Sequence, residues 1–165
     1  MTIIDLRDLP SRMPARSRPL GLDLGEKTIG LALGTSDFTL ASPLETIQRS
    51  RFREDAAKLT DLCKTHNVGA LIIGLPLNMD GTEGKRARST RQFARNLSEI
   101  ASLNLPIAFW DERLSTAVVE RFLIGEADMS RRRRGEVVDK MAAAYILQGA
   151  LDFLRHTTPP ARTSN

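Results

Sequence analysis

The chain has 165 residues, which is the size of one ordinary domain. Its 24 Lys and Arg against 20 Asp and Glu give a formal net charge of +4, which permits a polyanionic partner without requiring one. One cysteine excludes a disulfide framework and a cysteine-rich zinc site, and two histidines are too few for a His-rich metal centre. No apolar run approaches the roughly 18 residues of a membrane span, and the N-terminus lacks the apolar core of a signal peptide. We therefore expect a cytoplasmic protein with no membrane partner.

The two ends of the chain differ in composition from its middle. Residues 1–18 contain four arginines and two prolines without sustained periodicity, which predicts a flexible N-terminal extension. Residues 157–165 contain Pro159-Pro160 and are typical of a disordered tail. Residues 19–156 carry alternating strand and helix patterns, and we predict that they form the single folded domain.

Three closely spaced strands open this domain. Leucines at positions 20, 22 and 24 alternate with small or polar residues, and the same alternation recurs over residues 28–34 after a Gly-Glu-Lys link. A third, short strand is predicted over residues 38–47. Because the links are tight, the pattern favours an antiparallel meander.

Helices and buried strands alternate after the meander, because apolar positions at helical spacing give way to short apolar runs. The predicted elements are a helix over 51–66 capped by Ser50, a strand over 70–74, a helix from Thr82 to about 103, a strand over 107–110, a short helix from Ser115 or Thr116 to about 124, and a final helix over 135–154. The order βββαβαβαα predicts an α/β fold, in which helices cover both faces of a five-stranded mixed sheet.

The first candidate functional residue, Asp23, lies within the first strand on the face opposite the three leucines. A charge in a core strand is costly unless it is paired or bound to a metal. Its neighbours on the same face are glycines, which leave room for a ligand to approach. The alternative is an Asp at the edge of the sheet, paired with Lys27.

A pair of acids, Asp111 and Glu112, directly follows the strand over residues 107–110. Ligands of open α/β sheets bind beyond the carboxyl ends of parallel strands. Because successive strand residues point to opposite faces, only one of the two acids should enter such a site. The other would face Arg113 or solvent. The alternative is that both are ordinary charges at the end of a strand.

The third candidate acid, Asp139, lies near the start of the final helix, where the helix dipole alone already favours acids. The small residues Ala142–Ala144 that follow would let this helix pack closely on the sheet and bring Asp139 to the same edge. Three carboxylates from separate elements together suggest a two-metal phosphoryl-transfer site. A site built only of oxygen donors suits Mg²⁺ or Mn²⁺.

Basic and polar residues near these acids are candidates for binding nucleic acid. The polar loop after residue 74 opens a helix whose N-terminal amides favour a phosphate, and four consecutive arginines before the final helix predict a mobile cationic loop that neutralises several phosphates. The alternatives are a plain capped connection and a solvated charge run. The candidate set is Lys27, Asn78, Thr82, Lys85, Arg86, Arg113, Arg131, Arg132, Arg133 and Arg134.

Four segments of the chain resemble, in order, the motifs of the YqgF/RuvX family. They are Gly21–Ala32, Gly74–Gly84, Asp111–Thr116, and Val138–Ala144 followed by Ile146–Gln148. The segments extend over about residues 19–154. A lone Asp-x-Gly would be a weak signal, whereas four motifs in order are highly specific.

This resemblance implies an RNase H-like fold and a nuclease that matures the 5′ end of 16S ribosomal RNA. By the family pattern, Asp23, Glu112 and Asp139 are catalytic carboxylates that bind the metal, with Asp111 as the alternative to Glu112. The expected partner is structured RNA, either pre-16S rRNA or a pre-ribosomal particle, and the expected state is a monomer or weak dimer.

Three other functions remain open from the sequence. Family members are also described as Holliday-junction resolvases, which makes branched four-way DNA the alternative substrate. A non-catalytic RNA-binding module is the next alternative, although all candidate acids are present. The third alternative is an actin-like ATPase, because the segment Asp23-Leu24-Gly25 also resembles the first phosphate loop of that class. It is disfavoured because such proteins need two related lobes, and 165 residues supply one.

Overall fold

The computed structural model describes residues 3–100, 103–114 and 131–157. Its centre is a sheet of five strands: β1 (Arg18–Leu24), β2 (Thr28–Gly34), β3 (Ala41–Gln48), β4 (Val68–Leu75) and β5 (Ile107–Asp111). The spatial order is β3-β2-β1-β4-β5; β2 pairs antiparallel with β1 and β3, and β4 pairs parallel with β1 and β5. The predicted meander and five-stranded mixed sheet are confirmed.

The helices of the described part are α1 (Leu9–Arg12), α2 (Phe52–Thr65), α3 (Lys85–Ser98) and α4 (Arg131–Thr157). Two short 3₁₀ helices cover Leu6–Asp8 and Glu112–Leu114. No helix in the described ranges is both long and apolar enough to cross a membrane.

Both predicted helix caps are wrong, because the polar side chains in question bond elsewhere. The backbone cap of α2 is Arg51, and the Ser50 hydroxyl donates instead to Glu54, at 2.7 Å. The cap of α3 is Gly84, two residues after the predicted start at Thr82, whose hydroxyl donates instead to Asp80 at 2.6 Å.

The sheet separates two hydrophobic layers of different character. One face carries large aliphatic side chains such as Leu22 and Ile73 and packs against α2 and α3. The other face carries smaller residues such as Ala32 and Ala70 and packs against α4, in which Ala143 is fully buried. Helices therefore cover both faces, as predicted.

Glycines let α4 lie directly on the first two strands. A Cβ atom at Gly21 would come within 2.8 Å of the Leu147 Cβ, and one at Gly30 would overlap the backbone carbonyl of Asp139. Gly30 faces Asp23 across the β1–β2 pair. Close packing of the final helix, which the run of alanines predicted, thus places Asp139 over the same part of the sheet as Asp23.

Residues 3–17 pack on the sheet, which differs from the flexible extension that the sequence predicts. Leu6, Leu9 and Met13 are buried in the layer that contains α4. The Ile4 amide donates to the Ile107 carbonyl at 2.8 Å, which pairs this segment with the edge strand β5. The apolar residues of the segment recur at helical spacing, but their run is too short to stand out among the arginines.

The final helix begins earlier than predicted. Arg131–Arg134 form its first turn, and the expected mobile cationic loop is wrong for these residues. Arginine is a good helix former, so the charge run extends the helix instead of ending it. The short helix predicted from residue 115 to about 124 and the tail after Thr157 lie outside the described residues.

Candidate active site

Several chain segments meet at the carboxyl edge of the parallel strands. β1, β4 and β5 all end there, and β2, which runs antiparallel to β1, begins there. In an open α/β sheet this edge is where ligands bind. The predicted acids Asp23, Glu112 and Asp139 come to this edge from β1, from the residue after β5, and from α4.

Asp23 is largely buried near the end of β1 and shares a hydrogen bond with Glu112. Burial, together with the negative charges of Glu112 and Asp139, raises the pKa of Asp23 to about 7, and the positive charge of Arg86 acts against this rise. The hydrogen bond between the two carboxyl groups raises the pKa of Asp23 and lowers that of Glu112. No ion pair joins Asp23 to Lys27 within the described residues, and Lys27 lies exposed in the β1–β2 turn.

Glu112 begins the 3₁₀ helix after β5 and points toward Asp23. Burial raises the pKa of Glu112, although the charge of Arg86 and the hydrogen bond with Asp23 lower it. A Cβ atom at Gly74 would lie 3.4 Å from the Glu112 Oε2 atom, so the glycine at the end of β4 leaves room for this carboxylate.

Asp111 lies at the end of β5 and turns away from Asp23. Its Oδ2 atom is 2.6 Å from Nη2 of Arg113, and the Arg113 amide donates to its Oδ1 atom at 3.0 Å. These hydrogen bonds from Arg113 lower the pKa of Asp111. The structure thus places Glu112 beside Asp23 and pairs Asp111 with Arg113. Strand alternation predicted that one acid would enter the site and the other would face Arg113 or solvent, but not which of the two would do so.

Asp139 is the third acid at this edge, and its carboxylate accepts a hydrogen bond from the Thr28 hydroxyl at 2.7 Å. Thr28 is the first residue of β2 and lies two positions from Gly30, so both face α4. Sequence reasoning missed Thr28, although the antiparallel register of β1 and β2 places it opposite Gly25, two residues after Asp23 on the same face of the sheet.

Arg113 also holds the loop that follows β4. Its Nη1 atom donates to the Met79 carbonyl at 3.1 Å. Within the loop, the Asn78 amide donates to the Thr82 carbonyl at 2.9 Å, and Gly81 has a φ of 87°, a conformation that favours glycine. Asn78 and Thr82 therefore bond to each other and to the loop, and Arg113 joins this loop to the end of β5.

The remaining basic candidates differ in their distance from the acids. Arg86 and Lys85 lie exposed in the first turn of α3, and the charge of Arg86 acts on both Asp23 and Glu112. Only the backbone of Arg131–Arg134 is described, so the predicted contacts of these side chains lie outside it. Sequence reasoning also missed Arg49, the residue after β3, whose Nη1 atom donates to the Gly25 carbonyl at 2.6 Å.

The acids offer oxygen donors, but they are engaged with one another in this structure. Among the described residues, no group of three or more His, Cys, Asp or Glu side chains is arranged to hold a metal ion as it stands. In this structure Asp23 is hydrogen-bonded to Glu112, and Asp139 accepts a hydrogen bond from Thr28.

Comparison with known proteins shows the family to which the chain is similar. The model of the family described as "RuvX: Holliday junction resolvase" matches residues 17–153. A relative from Phenylobacterium zucineum, named "Putative pre-16S rRNA nuclease", is 55% identical over 156 residues, covering 94% of this chain and 99% of its own. A relative of the same name from Methylocella silvestris is 58% identical over 153 residues, covering 93% of both chains.

The fold resembles that of a solved resolvase. RuvC of T. thermophilus, determined in complex with a Holliday junction substrate, superposes with a TM-score of 0.55 at 16% identity, covering 86% of this chain and 97% of that one. This likeness confirms the RNase H-like fold that the motifs implied. With a family match over most of its length and relatives more than half identical, the chain belongs to the RuvX family of nucleases.

Proposed function

We propose that this protein is a divalent-metal-dependent nuclease that hydrolyses phosphodiester bonds of structured RNA, at the 5′ end of pre-16S rRNA. The observation that carries the proposal is the hydrogen bond between the carboxyl groups of Asp23 and Glu112 at the edge of the sheet where ligands bind. Two acids in contact are costly unless a proton or a cation lies between them. Asp139 adds a third negative charge nearby.

Asp23, Glu112 and Asp139 would hold the metal. Asp23 and Glu112 would bind it in place of the hydrogen bond between them, and Asp139 would bind it while its carboxylate still accepts from the Thr28 hydroxyl. Carboxylate oxygens are hard ligands, which suits Mg²⁺ or Mn²⁺. When bound, divalent ions of this kind activate a water and stabilise the leaving oxygen of a phosphodiester.

The other residues of the site act on position and charge. Thr28 fixes the direction of the Asp139 carboxylate through a 2.7 Å hydrogen bond. The Asp111–Arg113 pair ties the end of β5 to the loop at Met79, and so keeps Glu112 in place between them. Arg86 supplies positive charge beside the acids, where a phosphate must approach.

RNA is the proposed substrate because the curated relatives are named for pre-16S rRNA. We expect Lys27, Lys85, Arg86 and the arginines of the first turn of α4 to contact its backbone, and the protein to act in the cytoplasm on a pre-ribosomal particle as a monomer or weak dimer. Residues 19–156 form the proposed nuclease domain, on which residues 3–17 pack.

The test is cleavage of an RNA that carries the 16S precursor 5′ end, with Mg²⁺ or Mn²⁺. Wild type should cut it, and Asp23→Asn should not, while unfolding as cooperatively as wild type. Asp61→Asn, an exposed acid of α2, is the matched control and should cut normally. A wild-type protein that leaves the RNA intact with either metal would contradict the proposal.

Four-way DNA is the second candidate substrate, because the matching family model is described as a Holliday junction resolvase. Symmetric cleavage of two strands requires two active sites. Cleavage of a four-way junction, at a rate above that of the precursor RNA and by a dimer in light scattering, would favour this function. A strict monomer in the presence of junction DNA would argue against it.

A further inference from the structure

A small cavity of about 70 Å³ lies at the same edge of the sheet, on the side of α3. Its wall is formed by Leu24 and the two residues after it, by Arg49, and by one face of α3. Because Leu24 is the chain neighbour of Asp23, the cavity begins directly beside the candidate active site. Asp23 faces α4 and Leu24 faces α3, so the two sites lie on opposite sides of the sheet edge.

Two arginines line this cavity with donors to spare. The guanidinium of Arg49 donates to the Gly25 carbonyl at 2.6 Å and lies 5.5 Å from the centre of the Phe93 ring. These contacts fix its plane, and its other N–H groups have no acceptor in the described part of the chain. Arg86 forms no hydrogen bond or salt bridge with any described residue.

Two hydroxyl groups complete the lining. Ser89 and Thr90 lie one turn after Arg86 on the same face of α3. Ser89 is exposed and Thr90 is 4% exposed, and no hydrogen bond joins either hydroxyl to another group among residues 3–100, 103–114 and 131–157. Both hydroxyls can therefore donate to a ligand in the cavity.

We propose that Arg49, Arg86, Ser89 and Thr90 form a phosphate subsite, which holds a backbone phosphate of the substrate strand next to the phosphate that is cut. Cations and hydroxyl donors together bind phosphate, and a planar guanidinium matches it with two hydrogen bonds. Glu26 is the one acid in the lining, and it is exposed at the rim. The identity of the ligand rests on the proposed nuclease function; the binding of an anion does not.

This subsite gives the substrate strand a path. The strand would cross the sheet edge over Leu24 and Gly25, with its scissile phosphate on the α4 side and the neighbouring phosphate on the α3 side. Arg86 would attract the scissile phosphate electrostatically and donate hydrogen bonds to the neighbouring phosphate. The subsite would therefore fix the register of the strand relative to Asp23 and Glu112.

The first measurement is binding of the precursor RNA in EDTA, where cleavage cannot occur, as a function of salt. Arg49→Gln should weaken binding about 5- to 10-fold and reduce the slope of log K against log[salt] by about one. Arg51→Gln removes the same charge from an exposed position two residues away and is the matched control. Glu26→Gln should change affinity in the opposite direction, because it removes the one acid of the lining.

The second measurement locates the phosphate. Neutral methylphosphonates are introduced singly along the RNA strand, and the affinity of each is compared between wild type and Arg49→Gln. One position beside the cleavage site should weaken wild-type binding and have no further effect in Arg49→Gln. Ser89→Ala should give the same pattern with a smaller change in affinity, because this variant removes a hydroxyl and no charge.

The outcomes separate the subsite from the proposed function. If the slope of log K against log[salt] falls in Arg49→Gln but wild type cuts no RNA, the anion site is supported and the nuclease function is rejected. Normal cleavage by wild type, with equal slopes for Arg49→Gln and Arg51→Gln, would reject the subsite and retain the nuclease. Equal effects of every methylphosphonate in wild type and Arg49→Gln would also overturn it.

Discussion

Two neighbouring acids at the end of β5, Asp111 and Glu112, have different partners, and their pKa values shift in opposite directions. Asp111 is paired with Arg113, and the pKa of Asp111 is lowered. Its chain neighbour Glu112 meets the buried Asp23, and the pKa values of both are raised. Two adjacent carboxylates thus meet different partners: Asp111 meets the guanidinium of Arg113, and Glu112 meets another carboxyl group. The first arrangement stabilises the fold, and the second leaves unfavourable charge for a ligand to neutralise.

The comparison predicts its largest difference in catalysis. Glu112→Gln should reduce cleavage by about 10³-fold or more, because it removes a group that binds the metal. Asp111→Asn makes the same replacement of a carboxylate by an amide at the adjacent residue. It should reduce cleavage by no more than about 10-fold, since Asp111 acts through Arg113. Initial rates at saturating Mg²⁺ measure both. Equal losses would mean that the two acids share the catalytic role.

The second prediction concerns stability and carries a definite sign. The pKa of Asp23 is raised from 3.8 to about 7, so the native state holds a proton that the unfolded state releases. Its contribution to stability is present below about pH 4 and is lost as the pH rises to about 7. Asp23→Asn should therefore stabilise the metal-free protein by roughly 1–3 kcal/mol at about pH 8 and by little near pH 4.

Urea unfolding in EDTA at several pH values checks this expectation, with wild type measured beside the variant. Asp61→Asn serves as the control, because it removes an exposed acid and should change stability equally little at each pH. A variant that is less stable than wild type above pH 7 would show that Asp23 is stabilised by a cation in the metal-free fold.

The third prediction tests the link between Thr28 and Asp139. Thr28→Val keeps the shape and removes the hydroxyl that donates to the Asp139 carboxylate. Cleavage should fall by about 10- to 100-fold at low Mg²⁺, as for other residues that orient a metal ligand. Higher Mg²⁺ should recover part of the loss, and Thr28→Ser should retain near-normal activity. A loss that Thr28→Ser does not rescue would point to packing instead of orientation.

Much of the fold could be predicted from the sequence, and so could the approach of the final helix, with Asp139, to the strand that carries Asp23. Alternation of leucines with Gly21 and Asp23 sets one face of β1 apart as a place of close approach, and the final helix does lie there. The choice between Asp111 and Glu112 could not be predicted, because the chain leaves β5 at Asp111 and turns into a 3₁₀ helix. Strand alternation no longer applies beyond that point.

Other parts of the site depend on contacts that no local pattern reports. Thr28 is an ordinary strand residue until the register of β1 and β2 brings it beside Asp139. Arg49 is one of many arginines, and only the folded structure brings it, after β3, over the Phe93 ring of α3. The N-terminal segment was mispredicted for a related reason: its few apolar residues become buried only because α4 and the edge of β5 offer a surface.

The smallest expected effect lies with the ion pair itself. Asp111→Asn should destabilise the protein by about 0.2–1 kcal/mol near pH 7, because its pair with Arg113 is about one third exposed. Since the pKa of Asp111 is lowered, this stabilisation is present above the unfolded pKa of 3.8 and is lost as the pH falls through the lower pKa of the folded state, so the variant and wild type should converge in that acidic range. Arg113→Gln breaks the same pair and also the bond to the Met79 carbonyl, so it should cost more than Asp111→Asn. Urea unfolding of both variants and of the double variant measures the coupling. If Asp111→Asn instead stabilised the protein above pH 7, as expected for Asp23→Asn, the opposite behaviour of the two acid pairs would be refuted.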